Sequence, residues 1–278
     1  MKKMFLAAFC ILTLCSLLLI ANVGTIMASN SAYSMIEYWA VTPATIDGNW
    51  TSPDEWTDAP PMDMGGNAKF KYKVDTSGGS GNYKMQWLIE IFDDNTTDAL
   101  DVWQICLDPG NVGGSDPTSD HWRIDITGHA SDALYQGGGG GLWFGQPPLG
   151  SEMTWADSIS ASPWNSTPHY ILEVSILKDT GTIIVGAPPN AMRVAVYDAS
   201  NPSAGYQAWP PGPATDRDVP DNWGYIPTYS DTPYPEDFSI VFVVLLSSAA
   251  LAVSFYCLRK RSKTESYGSA KTGIKTTR

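Results

Sequence analysis

The most concentrated set of side chains that could do chemistry is a group of aspartates in the middle of the chain. Between positions 93 and 132 there are nine Asp residues and no Glu, and Arg123 is the single Lys or Arg among them. Hard cations such as Ca²⁺ bind carboxylate oxygens in stretches of this kind, although EF-hand spacing is absent. A solvated acidic surface explains the same composition more simply. The calcium site predicted as its alternative comprises Asp93, Asp94, Asp98 and Asp101.

Tryptophan is the second residue type with chemical potential. All 11 tryptophans lie between the two apolar ends of the chain, and an indole ring can stack on the apolar face of a sugar. Trp87, Trp103 and Trp122 fall in strand-like runs and are expected in the core. The glycine run 137–141 would let the loop beside Trp143 adapt to a ligand. The predicted carbohydrate-binding residues are Trp143, Trp155, Trp209 and Trp223, for which a core or loop-anchoring role is the alternative.

Other chemistries have weaker support in the sequence. His121, His129 and His169 do not have zinc-site spacing, and the glycine run lacks the Lys-Ser/Thr of a phosphate-binding loop. A histidine with a methionine could ligate haem, but no c-type attachment motif is present. No Ser–His–Asp order or carboxylate pair stands out. The sequence therefore predicts a protein that is not an enzyme.

The elements that must position these residues are almost all β-strands. Alternating or continuous apolar runs predict strands at 68–74, 85–92, 101–107, 121–127, 170–177 and 192–197, with shorter ones near 142–144 and 182–185. In 68–74 the alternation of lysine with apolar residues predicts one buried and one wet face. About eight strands with Gly- and Pro-rich joints predict an all-β fold, either a mostly antiparallel sandwich or a closed barrel.

Both ends of the chain have the pattern of membrane-targeting segments. Lys2 and Lys3 precede an uncharged run to Ile20, which predicts a signal peptide over 1–28; a first transmembrane helix is the alternative. The 21 residues 238–258 carry no charge and are long enough to span a bilayer. A basic cluster follows them. We therefore expect a stalk at 230–237, a transmembrane helix at 238–258 and a cytoplasmic tail at 259–278, with the body outside.

The formal net charge of −12 is distributed in agreement with this topology. Lys2 and Lys3 contribute +2, residues 259–278 contribute +6, and the stretch between them carries 28 acids against eight bases, or −20. A nucleic-acid-binding protein needs a basic surface to neutralise phosphates, so this composition argues strongly against that class. An acidic body between basic ends indicates a membrane between body and tail.

The exported body contains one cysteine and three glycosylation sequons. Cys106 has no second cysteine in the body to pair with, so the domain must fold without an internal disulfide, and an inert buried thiol is expected. The sequons predict possible modification at Asn49, Asn95 and Asn165, all in turn-like contexts.

Four short motifs follow one another in the body. They are Thr45–Trp50 with Glu55-Trp56, then Trp87–Asp94, Asp101–Asp108 and Tyr170–Ile176. In this order they resemble the carbohydrate-binding module family 9-like domains of the DOMON superfamily, over about residues 43–229. The resemblance implies a two-sheet antiparallel β-sandwich, jelly-roll-like, preceded by an N-terminal segment at 29–42.

The family resemblance also implies a function. Family 9 sugar binders hold a terminal sugar between two tryptophans; residues 95–100, where the first would lie, contain no aromatic residue, and Trp209 or Trp223 could match the second. The leading hypothesis is a non-catalytic cell-surface protein whose partner is a carbohydrate or envelope polymer. The alternatives are a structural or adhesive envelope module, with or without Ca²⁺, and a haem-binding redox module.

Overall fold

A computed structural model of the protein describes residues 29–228, except for residue 53 and residues 213–215. The predicted signal peptide, stalk, transmembrane helix and tail lie outside the described residues. Within the described part, no helix is long and apolar enough to cross a membrane.

The described residues form thirteen β-strands and a few single 3₁₀ turns, which confirms the all-β prediction. The strands are β1 (Asn30–Ser34), β2 (Met62–Asp63), β3 (Ala68–Asp75), β4 (Lys84–Ile91), β5 (Val102–Asp108), β6 (Trp122–Thr127), β7 (Ser131–Gly139), β8 (Leu142–Gln146), β9 (Met153–Ser160), β10 (His169–Leu177), β11 (Asn190–Tyr197), β12 (Gln207–Trp209) and β13 (Gly224–Ile226).

The strands are arranged in two sheets, as the sandwich prediction required. The larger sheet has the order β1-β13-β11-β5-β6-β7-β8, with β12 also paired to β11, and the smaller has the order β2-β3-β4-β10-β9. The pairings are antiparallel except for β1 with β13. Apolar side chains from the facing sides of both sheets form one core, to which Trp87, Trp103 and Trp209 belong.

The six longer predicted strands are present with ends shifted by one or two residues, whereas the one near 182–185 is absent. The short strands β1, β2, β12 and β13 and the longer strands β7 and β9 were missed. β7 ends in three glycines, and in β9 Asp157 interrupts the alternation of Met153, Trp155 and Ile159. Hydrogen bonds to neighbouring strands hold both in place. The glycine run 137–141 is accordingly part of β7 and a turn, with Gly139, Gly140 and Gly141 at positive φ.

The wet face predicted for β3 is wrong. Lys71 and Lys73 are 5% and 0% exposed, because the segment 37–60 lies over the side of the smaller sheet that faces away from the core. Lys71 donates to the backbone oxygen of Trp56, and Lys73 donates to the oxygen of Thr42 at 2.6 Å. Lys73 is also paired with Asp58 at 3.0 Å. Burial lowers the pKa of both lysines, and the charge of Asp58 partly offsets this effect.

The covering segment is attached to the sheet through the carboxylate of Glu173 on β10. Its Oε2 accepts the N–H groups of Asp47 and Gly48 at 2.9 and 3.0 Å, and its Oε1 accepts the indole N–H of Trp56 at 2.9 Å. Gly48 has φ +78°, and a Cβ there would lie 2.6 Å from a backbone atom of Asp157, so this position requires glycine. The first and last of the four motifs thus meet at one buried hydrogen-bond network.

Replacing Glu173 by Ala should destabilise the domain by about 3 kcal/mol or more, because three N–H donors would lose their acceptor and a buried donor without a partner costs about 1–3 kcal/mol. Urea unfolding would measure the loss. Ser175→Ala is the matched control, since Ser175 is buried on the same strand and face and its hydroxyl makes no hydrogen bond in the described structure. Equal stability of the two variants would contradict this account.

Stability should also depend on the ionisation of Glu173. Burial raises its pKa from 4.5 to about 7, although the bonds from Asp47, Trp56 and Gly48 lower it. Between these two values the unfolded chain ionises while the folded one keeps the proton, so the Glu173 contribution to stability is complete below pH 4.5 and is lost as the pH rises through 7. Glu173→Gln should lack this decrease. If the free energies of unfolding of the wild type and the variant changed by the same amount between about pH 4 and about pH 8, this role of Glu173 would be contradicted.

Candidate ligand-binding face and cation site

The outward side of the larger sheet carries rows of polar and aromatic side chains. Along β11, β5, β6 and β7 the residues opposite one another are Arg193, Cys106, Arg123 and Tyr135. The next row contains Ala195, Gln104, Asp125 and Ala133. Residues that alternate with them, such as Ile105 and Ile124, point into the core. We call this surface, together with the adjacent Arg217, the arginine face.

A hydrogen-bonded chain connects the strands of the arginine face. Arg193 donates to Oε1 of Gln104 at 2.6 Å, and the amide of Gln104 donates to Asp125 at 2.9 Å. Asp125 in turn is ion-paired with Nε of Arg123 at 3.3 Å. Gln104 and Arg193 are almost fully buried, so these contacts fix the floor of the face before any ligand arrives.

The guanidinium of Arg123 lies between aromatic rings. It is 4.0 Å from the ring centre of Tyr135 and 5.1 Å from that of Trp143. Arg123 is 7% exposed, and in the described structure it makes no hydrogen bond: its ion pair with Asp125 has no hydrogen-bond geometry, and its Nε is a buried atom without a partner. Contacts with two aromatic rings therefore hold this group, and its two terminal nitrogens make no hydrogen bond to a described residue.

The rim of the arginine face is formed by more exposed groups. Trp143 donates its indole N–H to Asp218 at 2.7 Å, and Arg217 donates to the same carboxylate at 3.1 Å. The Arg217 side chain is 43% exposed. Tyr206 is 42% exposed, and its ring lies 5.3 Å from that of Tyr197 on β11. The face thus combines partly exposed aromatic rings with charged donors and acceptors.

The four tryptophans predicted to bind carbohydrate occupy different environments. Trp143 is half-buried on the arginine face, and Trp155 is half-buried at the edge of the smaller sheet, where it donates to Asp132. The prediction is wrong for the other two. Trp209 packs on Phe70 in the core and Trp223 is fully buried, so neither ring has a free face for a sugar.

Most of the arginine face was missed by sequence reasoning. Gln104, Arg123, Asp125 and Arg193 lie within predicted strands, but the sequence predicts no site from them. The available sequence signal was the alternation, which puts each of the four on the side of its strand that faces away from the core. Only the pairing of β11 with β5 and of β5 with β6 brings them together.

The predicted calcium residues are also only partly brought together. Carboxylates of Asp94, Asp101 and Asp198 lie with one ligand atom each within 4.8 Å of the others, and all three are buried. We call them the aspartate cluster. Asp93 is exposed and bonded to Asn67, and Asp98 accepts the Thr96 hydroxyl at 2.9 Å. Neither of these two predicted ligands belongs to the cluster, and Asp198 is its third member. Asp198, which directly follows β11, was not predicted because it lies far from Asp94 and Asp101 in the sequence.

The cluster has an unsatisfied oxygen. Oδ1 of Asp94 accepts the N–H and hydroxyl of Thr96, both at 3.0 Å, but Oδ2 is buried without a hydrogen-bond partner in the described structure. Burial raises the pKa of Asp94, and the charges of Asp101 and Asp198 raise it further. Converging carboxylates with a free buried oxygen suit a hard cation such as Ca²⁺.

His129 connects the cluster to the smaller sheet. Its Nε2 lies 2.9 Å from Asp101 and its Nδ1 lies 2.6 Å from Asp157 on β9, while the ring stacks on Tyr170 at 4.1 Å. His169 is buried between Glu90 and the backbone oxygen of Thr167. These two predicted haem-ligand candidates therefore have protein partners at both ring nitrogens.

His121 and Cys106 also lie in enclosed positions. His121 is buried, and its Nδ1 accepts the N–H of Thr118 at 2.9 Å. Cys106 is a fully buried free cysteine, and burial raises the pKa of its thiol to about 11. A thiol with so high a pKa is a weak nucleophile, in agreement with the expected inert role.

The three sequon asparagines differ in accessibility. Asn95 is exposed. Asn49 is half-buried, with its amide nitrogen bonded to the oxygen of Asp47 and its amide oxygen to Ser158. Asn165 is half-buried and accepts the N–H of Thr167. Asn95 is consequently the sequon most open to a modifying enzyme on the folded domain, and modification of all three stays a prediction.

Comparison with known proteins gave matches among solved structures alone. No protein-family model matches the chain, and no curated protein matches it. A carbohydrate binding module family 9 from Caldicellulosiruptor kristjanssonii in complex with glucose is similar at 17% identity and a TM-score of 0.43, over 72% of this chain and 98% of that one. Its complex with cellotriose gives 14% identity and a TM-score of 0.41, over 74% and 97%. At these values the likeness does not determine a ligand.

Proposed function

We propose that the domain binds carbohydrate without catalysis, at the arginine face. The observation that carries this proposal is the Arg123 guanidinium, which lies over the rings of Tyr135 and Trp143 on the outward side of the larger sheet and makes no hydrogen bond in the described structure. Ring-lined surfaces suit sugars because aromatic faces contact C–H groups while neighbouring polar side chains bond the hydroxyls. The resemblance to family 9-like domains implies the same role.

We further propose that the protein displays this domain outside a membrane. The support comes from the sequence, where a signal-like start precedes the acidic body and an uncharged 21-residue segment followed by basic residues comes after it. A single C-terminal helix would then hold the module at the cell surface, with the tail on the cytoplasmic side. Ligands at such a site would be cell-surface or environmental polysaccharides.

Variants of the arginine face test the binding role. Tyr206→Ala and Arg123→Gln should each weaken glycan binding at least about tenfold, because one removes a contact ring and the other a set of donors. Isothermal titration calorimetry with the strongest binder from a glycan array would measure this. Phe144→Ala is a matched control, since Phe144 is 55% exposed and neighbours Trp143 in β8 but pairs with Gln136, outside both polar rows.

The result that overturns carbohydrate binding is a folded wild-type protein that binds no glycan on the array. That outcome would favour the structural or adhesive envelope role. Variants that bind as tightly as wild type would instead move the sugar site away from the arginine face. Circular dichroism of each variant separates loss of binding from loss of folding.

A second role, stabilisation by Ca²⁺, is proposed for the aspartate cluster on the evidence of the orphaned Asp94 oxygen. The three carboxylates would ligate the ion and the ion would neutralise their mutual repulsion. Because Asp94 follows β4, Asp101 precedes β5 and Asp198 follows β11, the ion would join both sheets at one end of the sandwich.

Calcium should therefore raise the melting temperature of the wild-type protein after treatment with chelator. A site filled at 100 times its Kd would contribute about 2.7 kcal/mol. Asp94→Asn should lose the calcium response without losing stability in chelator, because the substitution removes one repelling charge. Asp93→Asn, an exposed neighbour outside the cluster, should keep the response. A wild-type melting temperature indifferent to calcium and chelator would contradict the site.

A further inference from the structure

Arginine is unevenly distributed over the described residues. All three arginines there, Arg123, Arg193 and Arg217, lie on or beside the arginine face, although the stretch between the basic ends has a formal charge of −20. Such a body repels anions in general. The same face also carries Asp125 and Asp218, which are paired with Arg123 and Arg217. The concentration of guanidinium groups, and not a net positive charge, distinguishes this face from the surrounding surface.

Tyr206 provides an exposed aromatic ring at the rim of this face, where its ring centre lies 5.3 Å from that of Tyr197. Burial raises the pKa of its hydroxyl and so does the charge of Asp125, while the charges of Arg217, Arg193 and Arg123 partly offset this effect. The Tyr206 ring is thus a contact for a sugar beside both acidic and basic groups.

The free donors of Arg123 have the geometry for an oxyanion. Its ion pair with Asp125 involves Nε, so the edge formed by the two terminal nitrogens makes no bond to a described residue. This planar edge matches the two oxygens of a carboxylate or sulfate, and charge-assisted bonds of this kind are roughly twice as strong as neutral ones.

Several small residues lie on the strands beside this guanidinium. Cys106 and Tyr135 are its cross-strand neighbours, Gly145 lies opposite Tyr135, and Ala133 lies opposite Asp125. The Tyr135 and Trp143 rings both contact the guanidinium. An acidic group could reach the guanidinium edge while the attached sugar contacts the aromatic rim.

We propose that the arginine face selects acidic saccharides, in which a carboxylate or sulfate contacts Arg123 while the sugar ring contacts Tyr206 or Trp143. The inference rests on the proposed carbohydrate-binding function and names its ligand class. Arg217, on the exposed rim, contributes charge that attracts the ligand and partly offsets the acidic body. Neutral sugars of the same shape bind the face more weakly.

The test compares ligands that differ in charge but not in backbone. Purified full-length protein is assayed on an array of uronic, sialylated and sulfated oligosaccharides, each beside its neutral parent. Calorimetry then uses trigalacturonic acid and its methyl ester, or the best pair from the array. We expect the acidic member to bind at least about tenfold more tightly than the neutral one. Addition of about 0.5 M NaCl should weaken the binding of the acidic member. Sodium sulfate and sodium acetate are the competitors that reveal a simple anion site.

Arg123→Gln should abolish the preference for the acidic member, and Arg123→Lys should restore only part of it, because lysine keeps the charge but lacks the planar edge. Lys84→Gln is the charge-matched control, since Lys84 is exposed on the smaller sheet and its substitution should have no effect.

Equal or tighter binding of the neutral member overturns the inference and leaves the proposed function standing. Displacement by free sulfate as effective as by the saccharide also overturns it. Absence of binding to every glycan overturns the proposed function itself.

Discussion

The carboxylate of Glu173 is the interaction on which the architecture depends. It accepts hydrogen bonds from the turn at Asp47 and Gly48 and from the indole of Trp56, and so attaches the covering segment to β10. The smaller sheet is thereby buried on both faces. A half-buried sheet would tolerate solvated lysines, but here Lys71 and Lys73 need protein acceptors because water cannot reach them.

This burial assigns different roles to the two sheets. The smaller sheet lies between the core and the covering segment. On the outward side of the larger sheet Trp223 and Trp143 pack over Cys106, and partly exposed rings and charged groups remain at the rim. Rigid strands hold Arg123, Gln104 and Asp125 in fixed positions relative to one another. A site built on strands is more exact than one on loops, which suits recognition of a ligand with several oriented polar groups.

The ends of the strands carry a second constraint. The aspartate cluster brings together carboxylates from the ends of β4, β5 and β11, and His129 extends the network to Asp157 on β9. Both sheets are therefore connected at one end by polar contacts as well as by the shared core. The repulsion among three buried carboxylates is the cost of this arrangement, and a bound cation would remove it.

Local pattern was sufficient for β3, β4, β5, β6, β10 and β11, because alternation and apolar runs reflect burial against one core. It failed for β7, which is glycine-rich, and for β9, in which Asp157 interrupts the apolar alternation; pairing with neighbouring strands holds both in place. It also failed for Trp209 and Trp223. Indole rings in proline-rich loops are equally compatible with exposure and with burial, and only packing distinguishes the two.

The sequence by itself therefore determined the all-β class, the main strands, the lone buried thiol and the charge distribution, since each follows from residue type and local spacing. Only the tertiary structure decided which residues share a site. Asp198 joins Asp94 and Asp101, and Arg193 joins Gln104 and Arg123, because strands distant in sequence are adjacent in space. Pairing order across a sheet is set by long-range packing, and local sequence carries little information about it.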